Sequence, residues 1–322
     1  MKPLLESKDV TVLIVNYRGA DDTINCLRSL YELVEAPGRI IVIDNNSNDG
    51  SVDKIFFFWL EFASPTIIRN DDIETTNLKS SSIILIMPEN GGYAYGNNAG
   101  IRLAFRDSGC KAVWILNNDT IVHYLSLRCI CNRSNNEKIY SIVGSTLIFF
   151  YNNKKIQCVA GSTINKFTGK TSHIHENKNI SIINNVDKLK IETQIDTING
   201  ASFFIPKIVI DKIGYFIDKF FMYYEDTEFC VRAKRKNVKL IWASDSFVFH
   251  KEGGTKVDNK YNWKNFITLR NRIAFMKIHY PFMTPIVCLT YIIMILKRII
   301  RLKNIFFYST ILSIYHGLTF KK

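Results

Sequence analysis

The chain has 322 residues, 47% of them apolar, and 42 Lys and Arg against 29 Asp and Glu leave a formal net charge of +13. That length and apolar content are ample for one large domain, with or without an appendage, and exclude a disordered chain. The positive balance suits a nucleoside diphosphate or an anionic membrane surface, and no RNA- or DNA-binding motif points to nucleic acid as a partner.

The first residues, Met1 to Asp9, lack the apolar core of a signal peptide, so a cytoplasmic location is expected. The seven cysteines are scattered; Cys129 and Cys131 are close but have no second pair to complete a zinc site, and reduced packing residues are expected. Val10 to Val15 reads as a strand, followed by the polar turn Asn16-Tyr17-Arg18-Gly19. From Asp21 to Glu35 the spacing of Ile24, Leu27, Leu30, Tyr31 and Val34 predicts a helix. Pro37-Gly38 ends it, and Ile40 to Ile43 is a second buried strand ending in Asp44-Asn45-Asn46-Ser47-Asn48-Asp49-Gly50-Ser51. Such a strand-helix-strand unit is a right-handed parallel crossover, so both polar ends leave one edge of the sheet.

Residues 56–82 are less regular and read as a loop or insertion. Ile83 to Met87 is a third strand, followed by a turn from Pro88 to Gly100 and a helix through Arg106. Glycines in that turn permit close backbone approach. Its Asn90, Asn97 and Asn98 offer donors and acceptors, serving either a polar ligand or a tight turn and helix cap. Ala112 to Leu116 is an apolar strand ending in Asn117-Asn118-Asp119-Thr120, a position where α/β proteins keep their chemistry and where short polar residues also begin turns.

Tyr151 to Asp196 is rich in Asn, Lys, Ser and Thr and reads as a variable hairpin-and-loop region. His173-x-His175 within it has no third ligand for a metal and reads as solvent-facing. Phe220 to Tyr224 leads into Glu225-Asp226-Thr227-Glu228, where a helix opens; the helix dipole alone would favour acids there. His250 follows the strand-like Ser246 to Phe249, and a histidine so placed is by itself an ordinary partly buried one. A helix from Leu269 would bring Arg270 or Arg272 toward a pyrophosphate. Beyond it, Phe282 to Leu296 carries no charge, Lys297 to Lys303 mixes basic and apolar residues, and Ile305 to Phe320 is apolar again. Each run falls short of the roughly 20 residues that span a bilayer. A domain over 1–275 and a membrane-associating helical segment over 276–322 are therefore expected.

Two nucleotide motifs are excluded by spacing. Gly169-Lys170-Thr171 has Ile164 where a P-loop needs glycine, and the first turn lacks G-x-G-x-x-G. The ordered set of Val12 to Tyr17, Ile43 to Ser51, Asn90-x-Gly92-x-x-x-Gly96-Asn97-Asn98-x-Gly100, Leu116 to Asp119, Asn199-Gly200-Ala201, Tyr224-Glu225-Asp226-Thr227-Glu228-x-x-x-Arg232 and His250 instead resembles the inverting glycosyltransferases of family 2, particularly the rhamnosyltransferase-like branch.

That resemblance implies an α/β GT-A fold, Rossmann-like with a mostly parallel central sheet, plus C-terminal apolar helices. It implies that Asn16, Tyr17, Asp44, Asn90, Asn97, Asn118 and Asp119 bind the nucleotide-sugar. Asn199, Gly200 and Tyr224 would contact the acceptor, and Asp226 would act as general base with Glu225 beside it. Asp119 is the remaining carboxylate of a D-x-D element whose first position is here Asn117, and Asp119 with His250 would hold Mg²⁺ or Mn²⁺. The implied donor is a dTDP- or UDP-sugar such as dTDP-rhamnose. The implied acceptor is a lipid-linked glycan of a bacterial surface polysaccharide, met at the inner face of the cell membrane. The alternatives are a nucleotidyltransferase, whose usual glycine-rich loop with a basic residue is missing, and a non-catalytic sugar-nucleotide-binding protein, which would not need Asp226.

Overall fold

The computed structural model describes residues 4–75, 78–137, 139–251, 260–300 and 307–321. The β-branched runs pair as strands. β1 (Val10–Asn16), α1 (Ala20–Tyr31), β2 (Arg39–Asp44), α2 (Ser51–Trp59), β3 (Thr66–Arg69), β4 (Ser82–Ile86), α3 (Gly92–Phe105), β5 (Ala112–Asn117) and β6 (Thr120–Val122) alternate through the first part. There follow α4 (Ser126–Asn135), β7 (Ser141–Phe149), β8 (Ile156–Val159), β9 (Gly161–Ile164), β10 (Thr171–His173), α5 (Lys188–Gln194), β11 (Thr197–Ile198), β12 (Ser202–Pro206), α6 (Lys207–Ile213), α7 (Glu225–Arg235) and β13 (Lys239–His250). The helices α8 (Lys260–His279), α9 (Thr284–Ile300) and α10 (Phe307–Leu318) come after them.

The main sheet runs β3-β4-β2-β1-β5-β12-β7-β13-β6, with β8 beside β7, and a smaller sheet runs β10-β9-β11. From β3 to β5 all pairings are parallel. Asn16 stands beside Asp44 and Val15 beside Asn117, so the polar ends of β2, β1 and β5 emerge together. β12 enters antiparallel between β5 and β7 and makes the sheet mixed. Alternate strand residues serve opposite faces. Leu13, Ile41, Ile43, Val113 and Ile115 pack with α3, α6 and α7, whereas Val12, Ile14, Val42, Trp114 and Leu116 pack with α1, α2 and α4.

The described residues between 56 and 82 are more regular than expected. Phe56 to Trp59 complete α2, with Ile55 and Trp59 buried, and β3 adds an edge strand whose single buried residue, Ile68, gives no alternating pattern to read. Residues 151–196 contribute β8 to the main sheet, β9 and β10 to the smaller one, and α5. α8 is continuous across 275 and 276, with Ile273 to Met276 buried against Phe220, Tyr224 and Val231, so the domain boundary expected there falls inside a helix. α10 packs along α8. Phe282, Ile286, Leu289, Ile293 and Leu296 form an exposed apolar stripe at three- and four-residue spacing along α9 and its lead-in. No described helix is long and apolar enough to cross a membrane. Of the segments discussed above, residues 1–3, 76–77, 138, 252–259, 301–306 and 322 lie outside the described residues.

Candidate active site

At the end of β1, Asn16 Nδ2 donates to Asp44 Oδ1 at 2.7 Å and to Ser47 Oγ at 3.2 Å, and its oxygen accepts from Gly19 N–H and Thr23 Oγ1. Asp44 also accepts from Ser47, from the backbone N–H at 2.9 Å and the hydroxyl at 2.6 Å. Asn118 Nδ2 ties the end of β5 to the same turn through Gly19 O and Thr23 Oγ1. Asn16 and Asp44 are buried, so they shape the loop from within. Its accessible groups are the half-buried Tyr17 and the exposed Arg18, whose guanidinium lies 5.1 Å from the Tyr17 ring centre. Arg18 was not singled out from sequence; the available signal was a cation directly after Asn16-Tyr17.

In the glycine-rich turn, Asn90 Oδ1 accepts from Gly92 N–H at 3.1 Å. Gly92 has φ +87°, and a Cβ there would collide with the Phe221 carbonyl. The close approach lets Tyr93 N–H donate to Phe221 O at 2.7 Å, so the start of α3 is spent on the chain's own backbone and is closed to a phosphate. Asn97, fully buried, donates to the Tyr93 carbonyl at 3.0 Å.

The segment before α7 is strained: Phe221, Tyr223 and Tyr224 have φ of 66°, 67° and 72°. α8 holds it there. Asn271 Nδ2 lies 2.7–2.9 Å from the carbonyls of Phe220, Met222 and Tyr223, and Arg270 donates to those of Lys219 and Phe220. Arg272 Nε donates to the Tyr224 hydroxyl at 3.0 Å, and that hydroxyl donates to Gly169 O at 2.8 Å. Arg270 and Arg272 therefore brace the acidic segment instead of approaching a pyrophosphate. Tyr224, 7% exposed and packed on Phe275, is turned into the core and not toward an acceptor.

The strained segment delivers Glu225 and Asp226 at the start of α7. Asp226 Oδ2 accepts from Gly200 N–H at 3.2 Å and Oδ1 from Thr227 N–H at 2.6 Å. Tyr93 Oη donates to Gly200 O at 2.7 Å, Asn199 Oδ1 accepts from Ala201 N–H, and Ala201 O accepts from Asn117 N–H at 3.3 Å. The Asn199-Gly200-Ala201 turn thus links Asp226 to the end of β5, two residues from Asp119. Burial pushes the Asp226 carboxyl above its ordinary range, against the pull of the Thr227 and Gly200 amides and of His173. Burial and the neighbouring Asp226 push Glu225 well above its own range, and Glu225 Oε2 is buried with no hydrogen-bond partner among the described residues. Burial favours the neutral form of both carboxyls, more strongly at Glu225, an asymmetry suited to proton transfer.

At the end of β13, His250 Nε2 stands 3.1 Å from Asp119 Oδ1 and 3.3 Å from the Asn117 amide, with Nδ1 2.9 Å from Gln157 Oε1. The Gln157 oxygen requires the ring proton on Nδ1, which leaves the Nε2 lone pair toward an Asp119 oxygen. The Asn117 Nδ2 amide can donate to that lone pair, and a cation bound between Nε2 and Asp119 would take its place. Among the described residues no group of three or more His, Cys, Asp and Glu side chains could hold a metal ion. Asp119 and His250 could supply two ligands to a divalent ion, whose remaining positions would go to phosphate oxygens and water. An open cavity of about 290 Å³ beside His250 is lined by Phe150, Tyr151, Lys155 and Lys251 among others. Gln157 had no signal in the sequence.

No family model matches the chain. It is similar to the low-salt glycan biosynthesis hexosyltransferase Agl10 of Haloferax volcanii, 23% identical over 265 residues that cover 82% of this chain and 74% of the relative. Among solved structures it is similar to the mannosyltransferase PcManGT of Pyrobaculum calidifontis in complex with GDP-Man and Mn²⁺, with TM-score 0.53, 12% identity, and 97% and 73% of the two chains covered. It is also similar to GalNAc-T7 with UDP, GalNAc and Mn²⁺, with TM-score 0.60, 12% identity, and 86% and 48% covered, so it spans about half of that chain. The fold is that of the GT-A glycosyltransferases, and the chain is a homologue of a hexosyltransferase.

Proposed function

We propose that the chain is an inverting glycosyltransferase of the family 2 type, passing a hexose such as rhamnose from a nucleoside-diphosphate donor to a hydroxyl of a lipid-linked glycan in surface-polysaccharide synthesis. The observation that carries this reading is the Asn199-Gly200-Ala201 turn, which donates to Asp226 and accepts from Asn117, so that the candidate base and the candidate diphosphate end share one sheet edge. Homology to a hexosyltransferase of glycan biosynthesis supports it, as do folds solved with nucleotide ligands and Mn²⁺.

In this mechanism Asp226, its oxygens held by the Gly200 and Thr227 amides, takes the proton of the acceptor hydroxyl while that oxygen bonds to the anomeric carbon. The bond from that carbon to the diphosphate oxygen breaks, its electron pair leaves with the nucleotide, and the single displacement inverts the centre. Glu225, kept neutral by burial, spares the base a second negative neighbour. Tyr17 and Arg18 stand at the nucleoside side of the edge. Asp119 and His250 would hold Mn²⁺ or Mg²⁺, the imidazole favouring Mn²⁺, and the bound ion would offset charge on the departing diphosphate. The exposed stripe on α9, together with the net charge of +13, supports a peripheral seat on the anionic inner face of the cell membrane, where a lipid-linked acceptor is met.

The test is a panel of UDP-, dTDP- and GDP-sugars with Mn²⁺ and a lipid-diphosphate glycan acceptor, scored for transfer and for free nucleotide. Asp226→Asn should lower turnover about 10²- to 10⁴-fold while nucleotide binding persists. Absence of transfer from every donor rejects the function, and full turnover in the variant removes Asp226 as the base.

A further inference from the structure

The first turn of α3 is tied to three separated parts of the chain. Asn45, next to Asp44 at the end of β2, donates through Nδ2 to Gly92 O at 2.9 Å. Tyr93 N–H donates to Phe221 O at 2.7 Å, and Tyr93 Oη donates to Gly200 O, also at 2.7 Å. The nucleoside edge, the strained segment ahead of Glu225 and the turn that donates to Asp226 are therefore held by two neighbouring residues. Asn97, one turn along α3, fixes the Tyr93 carbonyl, and the Tyr93 ring packs against the core that contains Phe203 and Phe229. The hydroxyl is thus aimed by its ring as well as by its acceptor.

Gly200 lies between the two side chains. A Cβ there would stand 3.2 Å from Tyr93 Oη and 3.5 Å from Asp226 Oδ2, so both oxygens flank the same glycine. Tyr93, Gly200 and Asp226 each keep some exposure to solvent, as residues that border a site for an acceptor hydroxyl must. Burial and the carboxyls of Glu225 and Asp226 push the Tyr93 phenol well above its ordinary value, which keeps the proton on the oxygen for Gly200 O. Without the hydroxyl the Gly200 carbonyl loses this donor and the turn its bond to α3.

We propose that Tyr93 is a positioning residue for Asp226: its hydroxyl holds the turn whose Gly200 amide meets the carboxylate, and its backbone N–H holds the segment that delivers the carboxylate. The inference rests on the reading of Asp226 as the base. It also gives the glycine-rich turn a use besides donor binding, because the absence of a Cβ at Gly92 is what lets Tyr93 reach the Phe221 carbonyl.

The first test needs no substrate. In the full chain labelled with ¹⁵N-glycine, with the Gly200 amide assigned by Gly200→Ala, hydrogen exchange at that amide is compared in the wild type and in Tyr93→Phe. The variant keeps the ring in the core and lacks one oxygen. Exchange should quicken about five- to tenfold as the turn loosens, and an unchanged rate overturns the proposal.

The second test is a double-mutant cycle of Tyr93→Phe with Asp226→Asn, using the lipid-diphosphate glycan acceptor and whichever UDP-, dTDP- or GDP-sugar is transferred. Tyr93→Phe should lower kcat about tenfold with donor KM unchanged, and by less than about twofold once residue 226 is changed. A role confined to folding lowers the melting temperature and costs the same factor in both backgrounds. That result, or full kcat in Tyr93→Phe, overturns the proposal and leaves Asp226 as the base. Full turnover in Asp226→Asn alone removes the base assignment and this proposal with it, and is told apart because it appears before Tyr93 is changed.

Discussion

Asn271→Ala removes an amide that lies within 2.9 Å of three carbonyls in the segment leading to Glu225. Asn271 is fully buried, so water does not replace it. The amide has two N–H protons, so at about 1 kcal/mol net per hydrogen bond the loss is about 2 kcal/mol, a fall in melting temperature of roughly 3–6 °C for a chain of this size. The larger effect is expected on catalysis. Phe221, Tyr223 and Tyr224 sit at positive φ at a cost of about 1–3 kcal/mol each, and without the amide they relax, carrying Asp226 away from Gly200. Turnover should fall at least tenfold while donor KM changes little, because the nucleoside edge at β1 and β2 is untouched. Asn271→Asp keeps the volume but presents acceptors to carbonyls, so a loss at least as large separates the hydrogen bonds from the cavity. Thermal and urea unfolding followed by circular dichroism, with kcat and KM measured at a temperature where both variants are folded, gives both numbers. A destabilisation below about 1 kcal/mol, or full turnover in the folded variant, refutes the reasoning.

Glu225 is raised by burial, so its folded value lies above its unfolded one, and its contribution to stability is present at low pH and lost as pH rises through the folded value. Glu225→Gln should therefore raise the melting temperature at pH 8 and leave it unchanged near pH 4; a gain equal at both values would count against the burial argument. Gln157→Leu deletes the acceptor at His250 Nδ1 and should raise the Mn²⁺ concentration for half-maximal activity about 10- to 100-fold, read by metal titration. An unchanged requirement would remove His250 from the ligand set. Leu289→Glu with Ile293→Glu should weaken binding to anionic phospholipid vesicles at least tenfold in sedimentation, given about 1.5–3 kcal/mol per buried aliphatic side chain. Binding equal to the wild type would place the membrane contact elsewhere.

Much of the scaffold was legible because its signals are local. The runs at Val10, Ile40, Ile83 and Ala112 are β-branched and end in polar residues, and they became β1, β2, β4 and β5 in one parallel array. β3 was missed because an edge strand with one buried residue carries no period to detect. The boundary expected at 275 was set just ahead of the uncharged run that begins at Phe282, and α8 continues through it to His279. Arg270, Arg272 and Tyr224 were assigned outward roles that packing reverses: α8 turns both arginines toward the strained segment, and the tyrosine bonds Arg272 and packs on Phe275.

The order of residues by itself determined the strand–helix alternation and the polar groups at the strand ends, since spacing, turn chemistry and short right-handed crossovers act over a few tens of residues. Tertiary structure decided the contacts that make a site of them: Gly200 on Asp226, Gln157 on His250 and Asn271 on the turn before Glu225. Each joins segments distant in the chain through backbone amides and buried side chains, whose meeting follows from how the two sheets and α8 pack, and no local pattern encodes that.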